Sequence, residues 1–259
     1  MKKFKKALSM LVSVFIFTGM LMINGVLNQG VQAAETNKVS SNLNVEGNSS
    51  NLPVQLYYAK YINCGYYGGA VEGAICIKNL AYDKKVIVHY ASGEGNSWKD
   101  KEAHYVKTNP DGSEVWSFRI AFKGLFTAFA IKYEVNGKTY WDNNNSKNYS
   151  VNYEYDEVAL GKSNSCVIYS GLNPLSGKFC VKNTGKKPTN IKVRYTEDNW
   201  KTYKEATIKP ATNYVDSVSN YYFNADDCKE LTKEIKFALY YEIDGIEYCD
   251  DNFGSYYRG

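Results

Sequence analysis

The residues with the most chemistry to offer are aromatics and amides set close together. Trp141-Asp142-Asn143-Asn144 is followed, after three intervening residues, by Asn148-Tyr149. An indole or phenol ring presents a flat apolar face, and asparagine amides both donate and accept hydrogen bonds. Together they suit a ligand that has an apolar face rimmed by hydroxyls, as a sugar does. Trp98-Lys99, in a Gly/Ser/Asn-rich loop from Gly93 to Asp100, has the same character. The competing reading makes Trp141 and Tyr149 core residues at a strand end, with the asparagines forming turns, and composition does not separate the two. Catalysis finds less support. His89 and His104 are the only histidines, and nothing has the spacing of a metal site or of a nucleophile with its base. A glycosidase needs two carboxylates about 5–10 Å apart across a cleft. Asp142, Asp250 and Asp251 are available for that role, but no stretch is left over for a catalytic domain. No enzyme activity, metal or cofactor is expected.

The elements that must position these residues are strands, and they come twice. Phe129, Ile131, Tyr133 and Val135 alternate with more polar neighbours, as do Phe237, Leu239, Tyr241 and Ile243. A period of two marks a strand with one buried face. Asn136-Gly137 and Asp244-Gly245 follow at matching places, and both dipeptides favour the left-handed conformations of a tight hairpin. Upstream, Ile75-Cys76-Ile77-Lys78-Asn79 is answered by Phe179-Cys180-Val181-Lys182-Asn183. Val86, Val88 and Tyr90 are answered by Ile191, Val193 and Tyr195, and Ser97-Trp98-Lys99 by Asn199-Trp200-Lys201. Trp116 and Phe118 find their counterparts in Tyr221 and Phe223. Spacings that drift only between elements indicate a duplicated domain. Short strands without helical periodicity predict an all-β protein of two tandem sandwiches.

The N-terminus reads as a secretory signal. Four lysines precede an apolar run from Ala7 to Val26, and Val31-Gln32-Ala33 is a small-residue cleavage site. An uncleaved membrane anchor is the alternative, and no cysteine stands at the cleavage point to take a lipid. The chain carries 31 Lys plus Arg against 27 Asp plus Glu, and four of those lysines lie in the signal. What remains is balanced in charge, so the basic total is no argument for a nucleic-acid partner. We therefore expect residues 1–33 as signal, 34–52 as a flexible Asn/Ser-rich leader, and modules at 53–156 and 157–259. The mature protein is expected to be secreted and away from the membrane.

Cysteines fall two and four between the modules. Cys76 and Cys180 are equivalent, with Cys64 and Cys166 upstream of each, which leaves Cys228 and Cys249. The repeat suggests the bridges Cys64–Cys76, Cys166–Cys180 and Cys228–Cys249, one choice among the several connectivities that six cysteines allow. An extracellular setting permits them. Reduced, buried thiols are the alternative.

Two stretches also resemble a known family. VRYTEDNWKTY (Val193–Tyr203) and FAIKYEVNGKTYWDNNNSKNYSV (Phe129–Val151) are similar to the starch- and glycogen-binding module of carbohydrate-binding family 21. That module occurs in glycogen-targeting subunits of protein phosphatase 1 and in fungal glucoamylases. The resemblance implies immunoglobulin-like β-sandwiches that bind α-1,4-linked glucans without cleaving them. It also implies binding roles for Trp98, Lys99, Trp141, Asn143, Asn144, Asn148 and Tyr149 in the first module. In the second, Trp200, Lys201, Tyr203, Asn252 and Tyr257 take those roles. The copies differ: Cys249 replaces Trp141, Asp251 replaces Asn143, and Ser97 stands where the second module has Asn199. Unequal sites are expected, with Tyr256 and Tyr257 as a substitute platform in the second. The short join near Tyr153–Ser163 predicts a semi-rigid pair. The expected partner is an α-glucan polysaccharide, with a secreted amylase or a cell-surface complex as a further associate. The rival to this function is a secreted adhesin or scaffold protein that uses the same sandwiches for protein contacts.

Overall fold

The computed structural model describes residues 32–33, 52–93, 97–151, 157–172, 175–213, 216–225 and 234–258. The apolar run of the expected signal, nearly all of the expected leader, and Cys228 lie outside these residues.

The first sandwich contains β2 (Val54–Asn63), β3 (Gly69–Lys78), β4 (Lys84–Ser92), β5 (Trp98–Glu102), β6 (His104–Thr108), β7 (Ser113–Phe122), β8 (Phe126–Val135) and β9 (Lys138–Asp142). A two-residue β1 (Gln32–Ala33) precedes them. One sheet runs β2-β3-β7-β6 and the other β5-β4-β8-β9, with all pairs antiparallel. The expected alternation is present. Phe129, Ile131, Tyr133 and Val135 are buried and share one core with Leu56, Ile75, Val88 and Phe118. Each such side chain taken from water contributes about 1.5–3 kcal/mol. Asn136 and Gly137 have φ of 52° and 69°, and Asp244 and Gly245 of 52° and 80°. Positive φ at both central residues is what a two-residue hairpin with the correct twist requires.

The second sandwich repeats the plan. It contains β11 (Ser165–Leu172), β12 (Leu175–Lys182), β13 (Thr189–Thr196), β14 (Thr202–Glu205), β15 (Thr207–Pro210), β16 (Val218–Ala225), β17 (Lys236–Ile243), β18 (Ile246–Asp250) and β19 (Tyr257–Arg258). Its sheets are β11-β12-β16-β15 and β14-β13-β17-β18, the latter carrying β1 on β14 and β19 on β17. Phe179, Val193, Phe223, Phe237 and Leu239 fill a separate core. Between the modules, β10 (Val158–Leu160) extends the first sandwich by pairing with β2.

Three sequence expectations need correction. The Gly- and Tyr-rich stretch Cys64–Gly73, which leads to a strand expected from Ala74, already belongs to β3 from Gly69 onward. Gly73 is there because the strand beside it bulges between Leu56 and Tyr58: a Cβ would lie 2.2 Å from the Tyr58 carbonyl and 2.9 Å from the Phe118 ring. Gly177 repeats the arrangement against Tyr169 and Phe223, beside a bulge between Val167 and Tyr169. Trp98, read as a loop residue, opens β5.

The third correction concerns the cysteines. Cys76 stands opposite Gln55, whereas Cys64 follows Asn63, which pairs with Gly69 at the far end of the same hairpin. A bridge needs Cα atoms within about 7 Å, so Cys64–Cys76 is excluded by register. Cys166 and Cys180 do face each other across β11 and β12, both buried. Cys64, Cys76, Cys166, Cys180 and Cys249 are all free thiols in this structure. Burial pushes Cys166 up to about 12 and Cys180 well above the ordinary thiol range.

Candidate functional site

Strand alternation sends Val86 and Val88 of β4 into the core and turns His89 outward. On β8, Phe129 and Ile131 point in, and Ala130 and Lys132 point out. His89 pairs with both Ala130 and Asp100, and Lys132 with Trp141, so four adjacent strands contribute to one outer face. On that face His89, Trp98, Ala130, Trp141, Asn143 and Asn148 line a shallow cleft of about 370 Å³. Trp98 and Trp141 are 44% and 48% exposed, an unusual state for the two largest side chains of the site. The His89 ring stacks on Trp98 at 4.7 Å and 13°, and meets Trp141 edge-on at 5.6 Å and 77°. Ala130 keeps the floor between them low.

The imidazole is itself held. Its Nδ1 lies 2.5 Å from Asp100 Oδ1, and Lys132 Nζ stands 3.6 Å from Asp100 Oδ2. The hydrogen bond from His89, followed by the charge of Lys132, holds the Asp100 carboxyl below the usual carboxylate range. An ionised Asp100 takes a proton-bearing Nδ1 and leaves Nε2 as the other polar atom of the ring.

The loop after β9 is a knot of short hydrogen bonds. Asp142 accepts from the Leu56 N–H at 2.6 Å and from the Tyr149 hydroxyl at 2.9 Å. Asn143 Oδ1 accepts from Ser146 N, and Asn144 Nδ2 donates to the Asn148 carbonyl. Asn144, Asn145, Ser146 and Asn148 all have positive φ, which asparagine tolerates better than most residues. The run of amides is thus partly a folding device. Asn143 and Asn148 additionally line the cleft, and Asn144 is spent on the loop.

The remaining first-module residues separate by position. Lys99 is exposed and alternates to the side of β5 away from Trp98 and Asp100. Tyr149 bridges its backbone to Phe129 and lays its ring on the Phe129 ring at 5.4 Å, with its hydroxyl on Asp142. It ties the loop to the core. Burial, followed by the charge of Asp142, moves its phenol above the ordinary range.

The second module keeps the frame and changes the surface. Asp250 answers Asp142: it accepts from Ser165 Oγ at 2.5 Å and from the Tyr257 hydroxyl at 2.8 Å, and Tyr257 stacks on Phe237. Asn252 Nδ2 donates to the Tyr256 carbonyl. Trp200 sits at positive φ in a turn organised by Asp198, which accepts from Thr202 and Thr196. Those bonds, Thr202's backbone N–H first, lower the Asp198 carboxyl to about 2. The Trp200 ring meets Tyr256 at 4.8 Å, while its Nε1 is buried without a hydrogen-bond partner among the described residues. Lys201 is exposed beside it. Where the first module has His89 and Lys132, the second has Arg194 and Tyr240. Arg194 lies over the rings of Tyr203 and Tyr240 at 4.8 and 4.5 Å and bonds Glu205 at 3.1 Å. Cys249 stands in the place of Trp141, half-buried.

Sequence reasoning missed His89, Asp100 and Ala130. Period-two alternation carried the signal, because His89 falls on the face opposite Val86 and Val88, and an outward imidazole beside an aromatic strand is worth marking.

Residues 49–152 and 158–258 each match the family described as carbohydrate/starch-binding module (family 21). Among curated proteins, glucoamylase 1 of Rhizopus oryzae is 43% identical over 91 residues, covering 33% of this chain and 15% of that protein. Protein phosphatase 1 regulatory subunit 3B of Homo sapiens is 34% identical over 96 residues, covering 34% of each chain. This chain therefore spans about a third or less of the length of these relatives. A solved structure of the starch-binding domain of Rhizopus oryzae glucoamylase, in complex with β-cyclodextrin and maltoheptaose, is 41% identical. The match covers 40% of this chain and 96% of that one, with a TM-score of 0.33. The family matches fall on both sandwiches and take in most of the sequence, and the chain belongs to the family 21 carbohydrate/starch-binding modules.

Proposed function

We propose that this protein binds α-1,4-linked glucans such as starch or glycogen through its two modules and performs no chemistry on them. The observation that carries this reading is the cleft in which Trp98 and Trp141 stand half-exposed around His89, with Asn143 and Asn148 at the rim. A glucose ring has an apolar C–H face for the indoles and hydroxyls for the amides. Membership of a carbohydrate-binding family that is not a catalytic domain supports it. So does the resemblance to a glucoamylase and to a phosphatase regulatory subunit. We read each two-sheet antiparallel sandwich as immunoglobulin-like, the modules as 53–156 and 157–259, and the site of action as extracellular. The lysine-led apolar N-terminus supports that last point.

Titration of the chain with maltoheptaose, followed by tryptophan fluorescence, tests the reading. Saturable change that Trp98→Ala and Trp141→Ala together diminish is the expected result. A flat titration contradicts it.

A further inference from the structure

In the first module Val71, Ile75 and Ile77 of β3 face the core. Ala74 and Cys76 therefore face outward, as does Val115 of β7 opposite Cys76. Outward residues of a lone sandwich meet water, yet these three are buried. Lys162 Nζ lies 3.5 Å from Cys76 Sγ, and second-module residues gather beside the strand that carries Ala74. Tyr58, paired with Ala74, packs into a cluster with Cys166, Ile168, Cys180 and Val218, which lie on the outward side of β11, β12 and β16. Val158 and Leu160 of the joining strand complete that cluster. Lys60 Nζ donates to the Val167 carbonyl at 2.9 Å, and Lys107 Nζ to the Phe253 carbonyl at 2.5 Å. The Phe253 ring meets Tyr57 edge-on at 4.8 Å. Every one of these contacts is made by the sheet β10-β2-β3-β7-β6, the one that does not carry the cleft.

The cleft lies on the outer face of the opposite sheet, β5-β4-β8-β9. In the second module the cluster is made by the sheet without Arg194, Tyr203, Tyr240 and Trp200, which belong to or adjoin β14-β13-β17-β18, and from that other sheet the loop after β18 reaches the first module through Phe253. The two glucan-facing sheets are thus outermost, and both non-binding sheets lie between them. Resting on the proposed glucan binding, we infer that the protein is a cross-linker: its two sites engage separate glucan chains and not neighbouring segments of one. The join is no tether along which the sites swing together, since β10 is fixed to β2 and a buried interface follows it.

The test uses the full mature chain with soluble glycogen, read by dynamic light scattering, and with granular starch, read by retention. Opposed sites predict particles that grow as protein is added, then disperse in protein excess, when each site is filled from a different molecule. The double variants Trp98→Ala/Trp141→Ala and Tyr203→Ala/Tyr240→Ala should each lose particle growth while still being retained on starch. Two sites that cooperate on one chain bind about 100-fold or more tighter than either alone. Opposed sites instead give a granule affinity close to the sum of the two double variants. Retention without particle growth at any ratio, or an affinity of the intact chain far above that sum, overturns the cross-linking role. Absence of retention in the intact chain overturns the glucan reading, and cross-linking with it. Unchanged thermal unfolding of each double variant separates loss of a site from loss of a fold.

Discussion

Trp98 and Trp141 are costly residues to leave half in water, and the first module holds both rings in place from behind. Trp98 rests on an imidazole that Asp100 holds, and Trp141 stands at the end of a strand fixed by a tight hairpin. Replacing either by alanine should weaken maltoheptaose binding to the first module by about 2 kcal/mol, in the range of buried aromatic anchors at interfaces. Calorimetry measures it, and an unaltered melting temperature should accompany it because each ring is already half-exposed. Asp198 makes a different prediction. Its folded carboxyl lies at about 2 against 3.8 for an unperturbed one, so its hydrogen bonds stabilise the Trp200 turn above about pH 4. That contribution fades as the pH falls towards 2. Asp198→Asn should lower the melting temperature at pH 7 and leave it nearly unchanged near pH 2. Equal losses at both pH values would show that the turn does not depend on the charged form.

Hairpins were the elements most open to sequence reading. Phe129–Val135 and Phe237–Ile243 alternate cleanly, and Asn-Gly and Asp-Gly name their own turns, since both central residues need positive φ. Less of the sheets at either side was legible. Gly69–Gly73 looks like a loop because glycine has no side chain to show a period, although the space at Gly73 is set by the Tyr58 bulge and the Phe118 ring. Trp98–Glu102 is exposed along its whole length, so it shows no buried face to alternate with. The cysteine pattern misled for a related reason: equivalence between repeats says nothing about the register that places Cys64 and Cys76 at opposite ends of one hairpin. Gly73→Ala is the test of the bulge. Its Cβ would need the Tyr58 carbonyl to move, and overpacking of this kind costs about 1–3 kcal/mol. Thermal unfolding should show the loss, and an unchanged melting temperature would mean the bulge relaxes freely.

At the scale of the molecule, duplication conserved the frame and released the surface. Asp142 with Tyr149 and Asp250 with Tyr257 are the same tie made twice, each fastening the last loop to its own sandwich. Between them the binding faces diverge, with indoles and imidazole in one module and a guanidinium between two phenols in the other. The cleft was half legible beforehand. Trp98, Trp141, Asn143 and Asn148 converge there, whereas Lys99 points elsewhere and His89 depends on strand pairing that no local motif shows. The measurement that bears most directly on the account is retention of the chain from residue 34 onward on granular starch, with cellulose as control and maltoheptaose as competitor. Retention on starch alone, released by maltoheptaose, is the predicted result. A chain that passes through starch unretained, or that maltoheptaose fails to release, contradicts it.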